Sequence, residues 1–387
     1  MGKARDEALM AEALRLAERA RGLTYPNPAV GAVIVKGDRV VGRGYHRRWG
    51  APHAEVVALR HAGKRARGGE LYVTLEPCCH YGRTPPCTDA IVKAGIRRVY
   101  VATLDPNPLV RGKGVRILRR AGIEVSMGLL GGAARELNES YMKLMKTGRP
   151  FVTVKVAQTL DGKIANADGD SKWITSAASR AEVKAMRKRS QAILVGVGTV
   201  ARDDPMLLPA PGSSGRYIRC VLDTGLRIPS DSRLVKTASR HKTIIYFNHD
   251  KKKRLQKLEK YNVIGVKIGP ASSPSVGVGR VLEHLGRLGV QDLIVEGGAR
   301  VFTSFVREGH ADRVVIFMAP SIMGGEGTLS SFLDVGTRDV GGIRFGVDSV
   351  SRISRDVVVA LSPKGTGSVR LTIGPAGGSS VLSALLA

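Results

Sequence analysis

His53, Glu55, Cys78 and Cys87 have the types and spacing of a catalytic zinc site. His53-Ala54-Glu55 sets an imidazole and a carboxylate two residues apart, and Pro77-Cys78-Cys79-His80 with Cys87 adds thiols. Zinc prefers four tetrahedral ligands and, where it does chemistry, keeps one place for water. His53, Cys78 and Cys87 would be the three protein ligands. Zinc brings the pKa of a bound water down to about 7. Glu55, on the same turn as His53, can take that proton and pass it on, as general base and then acid. A histidine, two cysteines and a glutamate that need not be a ligand are the parts that hydrolyse an amino group from a nitrogen ring. The pattern predicts that chemistry.

Each part alone says little. His-x-Glu is common, and adjacent cysteines are more often buried thiols. The combination, with Pro77 before Cys78, carries the reading. A structural zinc would want a fourth ligand, and Cys79 or His80 could provide it. Adjacent Cys78 and Cys79 do not easily face one ion, so three ligands plus water is the preferred set. His53 after Pro52, and Cys87 after Pro85-Pro86, are both expected at helix starts. The partial positive charge there favours the thiolate a metal needs.

The elements that hold these residues must come from a chain of 387 residues. Single cores stop growing at roughly 250–300 residues, so two domains are expected. Hydrophobic content of 43% suffices for ordinary cores. No apolar run approaches the roughly 20 residues of a membrane helix, and the N-terminus does not read as a signal peptide. Four cysteines, three of them clustered, do not make a disulfide framework. A soluble cytoplasmic protein is expected, without membrane contact. The net charge is +28. Such a balance attracts anions, including nucleic acid and phosphorylated metabolites. The basic residues are spread along the chain, however, and aromatics for base stacking are only 5%.

Residues 5–21 read as an amphipathic helix, 30–35 and 40–45 as paired strands, and 71–75 and 99–102 as buried strands. Helices are expected near His53, from about Pro86 to Gly95, over 114–120 and over 133–146, with a strand at 124–127. Gly148-Arg149-Pro150 marks the domain boundary. Beyond it, strands read at 151–156, 192–197, 218–223, 243–247, 292–295 and 313–319, and helices at 177–189 and 278–288. The alternation makes both halves α/β. The tail 364–387, rich in Gly and Ser, reads as poorly ordered. Gly196-Val197-Gly198-Thr199-Val200-Ala201 imitates a dinucleotide fingerprint, with Asp223 at a plausible distance. Pro205, Pro209 and Pro211 forbid the helix such a fingerprint must open, so a Rossmann unit is rejected. Glu296-Gly297-Gly298 after a strand and before a helix start suits a cofactor pyrophosphate, although such a turn is more often just a turn.

Nucleic-acid and free-nucleoside deaminases usually place their cysteines two residues apart; here eight residues separate Cys78 from Cys87. With Thr24-Tyr25-Pro26-Asn27-Pro28, Gly50-Ala51-Pro52-His53-Ala54-Glu55 and Thr74-Leu75-Glu76-Pro77-Cys78-Cys79-His80, the first half resembles the RibD family, bifunctional pyrimidine deaminase–reductases of riboflavin biosynthesis. The second half resembles the same family's reductase. The matching pieces are Lys155 with Asp161-Gly162-Lys163, Ser171-Lys172-Trp173-Ile174-Thr175-Ser176, Arg187, Ala201-Arg202-Asp203-Asp204-Pro205 and Glu296-Gly297-Gly298.

The resemblance implies a cytidine-deaminase-like three-layer domain over 1–148, followed by a dihydrofolate-reductase-like α/β domain over 149–363. It implies one zinc ion in the first and NADPH in the second. Ala157, Trp173, Thr199, Asp203 and the segment Gly298, Ala299, Arg300, Val301, Phe302, Thr303 and Ser304 would contact NADPH. Ser171, Arg187, Leu207 and Glu296 would contact a phosphorylated pyrimidine ribotide. A guanidinium such as Arg187 suits a ribose phosphate, and Lys155 and Asp161 are candidates to orient or protonate the substrate. The chain departs from the family in one place. An Arg usual after the Asp-Asp-Pro segment is absent, and no basic residue follows until Arg216; either Arg216 reaches in or the phosphate is held differently. A homo-oligomer, dimer or tetramer, is expected. The alternative is a nucleic-acid-editing zinc deaminase with a basic RNA-binding domain, which the charge favours and the Cys78–Cys87 spacing opposes.

Overall fold

The computed structural model describes residues 2–82, 84–209, 217–249, 251–336, 342–363 and 370–372. The chain divides into two compact units at Gly148 and Arg149. In the first, α1 (Gly2–Glu18) leads into β1 (Gly31–Lys36) and β2 (Arg39–Tyr45). Then come α2 (Ala54–Ala62), β3 (Glu70–Val73), α3 (Cys87–Lys93), β4 (Arg98–Val101), α4 (Lys113–Arg120), β5 (Glu124–Met127), α5 (Gly131–Leu137) and α6 (Glu139–Thr147). The sheet order is β2-β1-β3-β4-β5. β1 runs antiparallel to both neighbours, and β3, β4 and β5 are parallel.

β1 is apolar on both faces because both are covered. Ala32 and Ile34 meet Ala54, Ala58 and Ala62 of α2, Ile91 of α3 and Leu118 of α4. Val33 and Val35 meet Met10 and Leu14 of α1 and Leu137 of α5. That is the expected three-layer arrangement. α2 lies unusually close to the sheet: a Cβ on Gly42 would come within 2.4 Å of the Ala58 carbonyl oxygen, and one on Gly44 within 2.3 Å of that of Ala54.

The single helix expected over 133–146 is broken in two. The Asn138 amide accepts from the Ala29 N–H at 2.8 Å and donates to the Ala29 carbonyl at 2.9 Å. This buried pairing takes the place of helix continuation between α5 and α6.

The second unit runs β6 (Phe151–Thr159), β7 (Lys163–Ala165), α7 (Ala177–Arg189), β8 (Ala192–Gly196), α8 (Val197–Asp203), β9 (Ile218–Leu222), α9 (Arg233–Lys236), β10 (Thr243–Phe247) and α10 (Lys252–Glu259). It continues through β11 (Ile264–Lys267), α11 (Val278–Arg287), β12 (Asp292–Gly297), α12 (Ala299–Arg307), β13 (Arg313–Ala319), β14 (Leu329–Ser330), β15 (Gly346–Ile353), β16 (Asp356–Ser362) and β17 (Arg370–Thr372). The main sheet has the order β11-β10-β9-β8-β12-β6-β13-β16-β15-β17, which is not that of a Rossmann unit. β11 through β13 are parallel, and β16 is antiparallel to both β13 and β15.

Side-chain alternation gives this sheet two cores. Val154, Leu194, Cys220, Tyr246 and Val295 face α11 and α12. Ile193, Val195, Val221, Ile245 and Ile294 face α8, α9 and Leu207.

Two expectations change here. A helix does open after Gly196: α8 begins at Val197 and stops where Asp204 turns left-handed at φ 39°. The prolines stand beyond its end, so they set its length and not its absence. Within 364–387, expected to be poorly ordered, Arg370–Thr372 forms a strand parallel to β15, and the other residues lie outside those described.

Candidate active site

Two helix starts and one turn build the metal cluster. His53 is the N-cap of α2, extended, with the Val57 N–H donating to its carbonyl at 3.0 Å. Cys87 opens α3 directly after Pro86. The Thr88 N–H donates to the Cys78 carbonyl at 3.2 Å and the Cys87 N–H to Cys78 Sγ at 3.3 Å, which fastens the Cys78 turn to the start of α3. His53 Nδ1 lies 3.2 Å from Cys87 Sγ and 3.4 Å from Cys78 Sγ. The three ligand atoms lie within 4.8 Å of one another. A tetrahedral zinc with bonds of about 2.0–2.3 Å would hold such atoms roughly 3.5–3.8 Å apart, so the donors fit the ion with little movement. Cys79 is turned aside, its thiol toward the Leu109 carbonyl at 3.7 Å. Among the described residues the cluster has three members and no fourth.

Charge in this cluster is shared. A hydrogen bond from Cys87 holds the Cys78 thiol well below its usual range, against the effect of burial, and the same shared proton drives Cys87 upward. Glu55, only 3% exposed, is pushed up to about 7 by burial and then by the Cys78 charge. A carboxyl poised there can both take and return a proton near neutral pH.

The cluster opens into a cavity of about 300 Å³ lined by Asn27, His46, Trp49, Glu55, Asp105 and Asn107, among others. His46 meets His53 edge to face at 5.3 Å. Its Nδ1 lies 3.2 Å from the Pro52 carbonyl, which can only accept; Nε2 is therefore the acceptor for the Asn27 amide at 3.1 Å. Burial lowers the His46 pKa and keeps this tautomer neutral. Asp105 accepts from the Tyr141 hydroxyl and the Asn107 N–H, both at 2.8 Å. Asn27, His46, Trp49, Asp105, Asn107 and Tyr141 were not singled out from sequence. Asn27 sits in a motif that was noted without a role, and Asp105-Pro106-Asn107-Pro108 after a strand is a polar turn signal that points to a site.

In the second unit the expected residues fall into pairs. Arg187, in the last turn of α7, closes on Glu296 at the end of β12: Nε to Oε1 at 2.5 Å and Nη2 to Oε2 at 2.7 Å. Lys155 stands close enough to share the field of both; burial lowers its pKa while Glu296 opposes. The Ser171 hydroxyl donates to Asp203 Oδ1 at 3.4 Å. Thr199, in the first turn of α8, lies against the glycine pair: its Oγ1 would be 3.5 Å from a Cβ on Gly297 and 3.6 Å from one on Gly298. Gly297 has φ 149°, where side chains are disfavoured.

Gly298 is the N-cap of α12, and the segment through Ser304 is helix. Ala299, Val301, Phe302 and Thr303 are buried, and the Thr303 and Ser304 hydroxyls donate back to the Ala299 and Arg300 carbonyls at 2.8 and 3.0 Å. The Val301 N–H already donates to the Gly298 carbonyl at 2.9 Å, so the Ala299 and Arg300 N–H groups are what this segment offers an anion.

Three residues stand apart from these pairs. The Leu207 side chain is in the core, 4% exposed, with φ 48°, so only its backbone can meet a ligand. Trp173 is 68% exposed and carries the Arg180 guanidinium 4.2 Å over its ring. Ala157, on β6, is half-buried against the cluster of Val315 and Phe317. Asp161 accepts from the Thr159 hydroxyl and the Met323 and Gly324 N–H groups, and these bonds lower its pKa to about 2. It is a loop tie and carries no proton to give. Arg216 lies outside the described residues.

Residues 150–359 match the family model of the RibD C-terminal domain, and residues 3–103 match the cytidine and deoxycytidylate deaminase zinc-binding region. The riboflavin biosynthesis protein RibD of Aquifex aeolicus is 46% identical over 356 residues, covering 92% of this chain and 97% of its own. Acinetobacter baumannii RibD superposes with a TM-score of 0.84 at 38% identity, covering 93% of this chain and 99% of that one. The Thermotoga maritima diaminohydroxyphosphoribosylaminopyrimidine deaminase/5-amino-6-(5-phosphoribosylamino)uracil reductase does so at 0.81 and 35%, covering 94% and 100%. A zinc-binding deaminase region joined to this reductase domain implies zinc and a nicotinamide cofactor, and sets aside the nucleic-acid-editing alternative. No helix among the described residues is long and apolar enough to cross a membrane. The chain belongs to the RibD family and is a bifunctional enzyme of riboflavin biosynthesis, a deaminase joined to a reductase.

Proposed function

We infer that residues 1–148 hydrolyse the exocyclic amine of 2,5-diamino-6-(5-phosphoribosylamino)pyrimidin-4-one, and that residues 149–363 then reduce the ribosyl group of the product to ribityl with NADPH. The observation that carries the first step is the convergence of His53 Nδ1 with the Cys78 and Cys87 sulfurs beside buried Glu55. Those three residues would hold one zinc ion, which makes water a nucleophile at neutral pH. Glu55 takes the water's proton, delivers it to the ring nitrogen, and later protonates the departing amine, which leaves as ammonia. His46 and Asn27 wall the pocket with fixed hydrogen-bond roles.

In the second unit the Gly297-Gly298 turn and the first N–H groups of α12, with Thr199 against them, suit the cofactor's pyrophosphate. NADPH supplies the hydride to the ribose C1′. Arg187 receives the substrate phosphate, Glu296 orients Arg187 and meets the substrate, and Lys155 stands as the proton source. A reducing cytoplasm would keep Cys78 and Cys87 free for metal, and a dimer or tetramer belongs to the same reading.

Mass spectrometry of products from the diaminopyrimidine ribotide tests it. Deaminated product without NADPH, and deaminated and reduced product with it, is the expected result. Unchanged substrate from zinc-loaded protein would overturn the first assignment; deamination without reduction would overturn the second.

A further inference from the structure

Tyr217 carries a polar group that the chemistry above leaves unused. It directly precedes β9, and its ring packs against the core cluster that contains Leu207 and Ile294, with Met186 packed there too. Met186 adjoins Arg187, and Leu207 adjoins Leu208, whose carbonyl the Arg187 guanidinium approaches at 3.4 Å. The Tyr217 hydroxyl is enclosed and, among the described residues, has no hydrogen-bond partner. Burial, and then the Glu296 charge, raise its pKa, with Arg187 opposing, so it is a neutral O–H donor. A buried hydroxyl without a partner weakens a fold. Phenylalanine would fill the same space without that cost.

The neighbouring guanidinium is only partly used. Arg187 Nε and Nη2 are closed on Glu296, while Nη1 has one long contact, 3.4 Å, to the Leu208 carbonyl. Its charge is already matched by Glu296, so an incoming phosphate dianion needs further donors. The chain offers no Lys or Arg between Asp204 and Arg216. We propose that the Tyr217 phenol is a further substrate-binding residue of the reductase, donating a hydrogen bond to the substrate phosphate beside Arg187. This rests on the assignment of Arg187 to that phosphate.

The test is Tyr217→Phe in the full chain. Reductase kinetics would be measured with the deaminated ribotide and with its riboside lacking the phosphate, alongside thermal unfolding. The hydroxyl's loss should raise KM for the ribotide about tenfold, the worth of one hydrogen bond to a charged group. The riboside KM, kcat and deamination should hold, and the melting temperature should not fall, because the group removed is unpartnered. An unchanged ribotide KM in a wild type that prefers ribotide over riboside overturns this proposal alone. An equal rise for both substrates overturns the phosphate as the acceptor. A wild type that does not distinguish ribotide from riboside overturns the role of Arg187, and this proposal with it.

Discussion

Arg187 and Glu296 stand 109 residues apart in the chain and meet in a two-pronged ion pair at 2.5 and 2.7 Å. The Glu296 side chain is 7% exposed and that of Arg187 21%. Such a pair is shielded from solvent screening, and its geometry is the parallel fork that suits a guanidinium and a carboxylate. Arg187 is thereby aimed before any substrate arrives.

Removing one partner should be costly and removing both much less so. Arg187→Met leaves Glu296 buried and opposed only by Lys155, a loss of about 3 kcal/mol. Arg187→Met with Glu296→Gln should recover most of that stability while reduction stays absent in both. Urea unfolding of the three proteins checks this; equal losses in the single and double variants would count against it.

Acid should unmake the same pair. Burial works against the Glu296 carboxylate, but the Arg187 hydrogen bonds and charge, with Lys155, outweigh it and lower its pKa. A carboxyl with a lower pKa in the folded than in the unfolded state stabilises the fold above the unfolded value of about 4.3, and that contribution is lost as pH falls through the folded value. Below about pH 5 the wild type should therefore lose stability more steeply than Glu296→Gln. Melting temperatures at stepped pH give the comparison, and parallel slopes would contradict it.

Glu55→Gln keeps the volume and removes the proton carrier. Deamination should fall roughly 10²- to 10⁴-fold, with zinc content and reduction of pre-deaminated substrate unchanged. Cys87→Ser should lose zinc and deamination together. Metal analysis beside both assays separates the two variants; zinc retained in the serine variant would argue against Cys87 as a ligand.

Asn138→Ala should destabilise the amino-terminal unit by about 2 kcal/mol. The substitution strands the buried Ala29 N–H and carbonyl that the amide serves. Denaturant titration would show it, and a change within about 0.5 kcal/mol, the range of ordinary surface substitutions, would refute it.

The zinc cluster was readable because its ligands sit at turns that announce themselves: proline before His53, before Cys78 and before Cys87. The strands of both sheets were readable where both faces are buried, as in Gly31–Lys36 and Thr243–Phe247. What escaped depends on partners distant in sequence. Asn138 breaks a helix through Ala29, 109 residues away. The β15–β16 hairpin turns at Ser354, φ 56°, without the Gly or Asn that such turns favour, and β15 alternates weakly. Leu207 was expected at the substrate by resemblance; its side chain belongs to the core, which leaves its backbone to meet a ligand. Tyr217 has no sequence signal at all; only the enclosed hydroxyl reveals it.

The contact of α2 with Gly42 and Gly44 has a genetic consequence. There is no side chain to cushion the helix against the strand, so any larger residue at either position must lift the whole helix. His53 and Glu55 ride on its first turn. Loss-of-deamination alleles should therefore arise at two positions that never touch metal or substrate, and protein carrying them should still reduce a substrate supplied already deaminated.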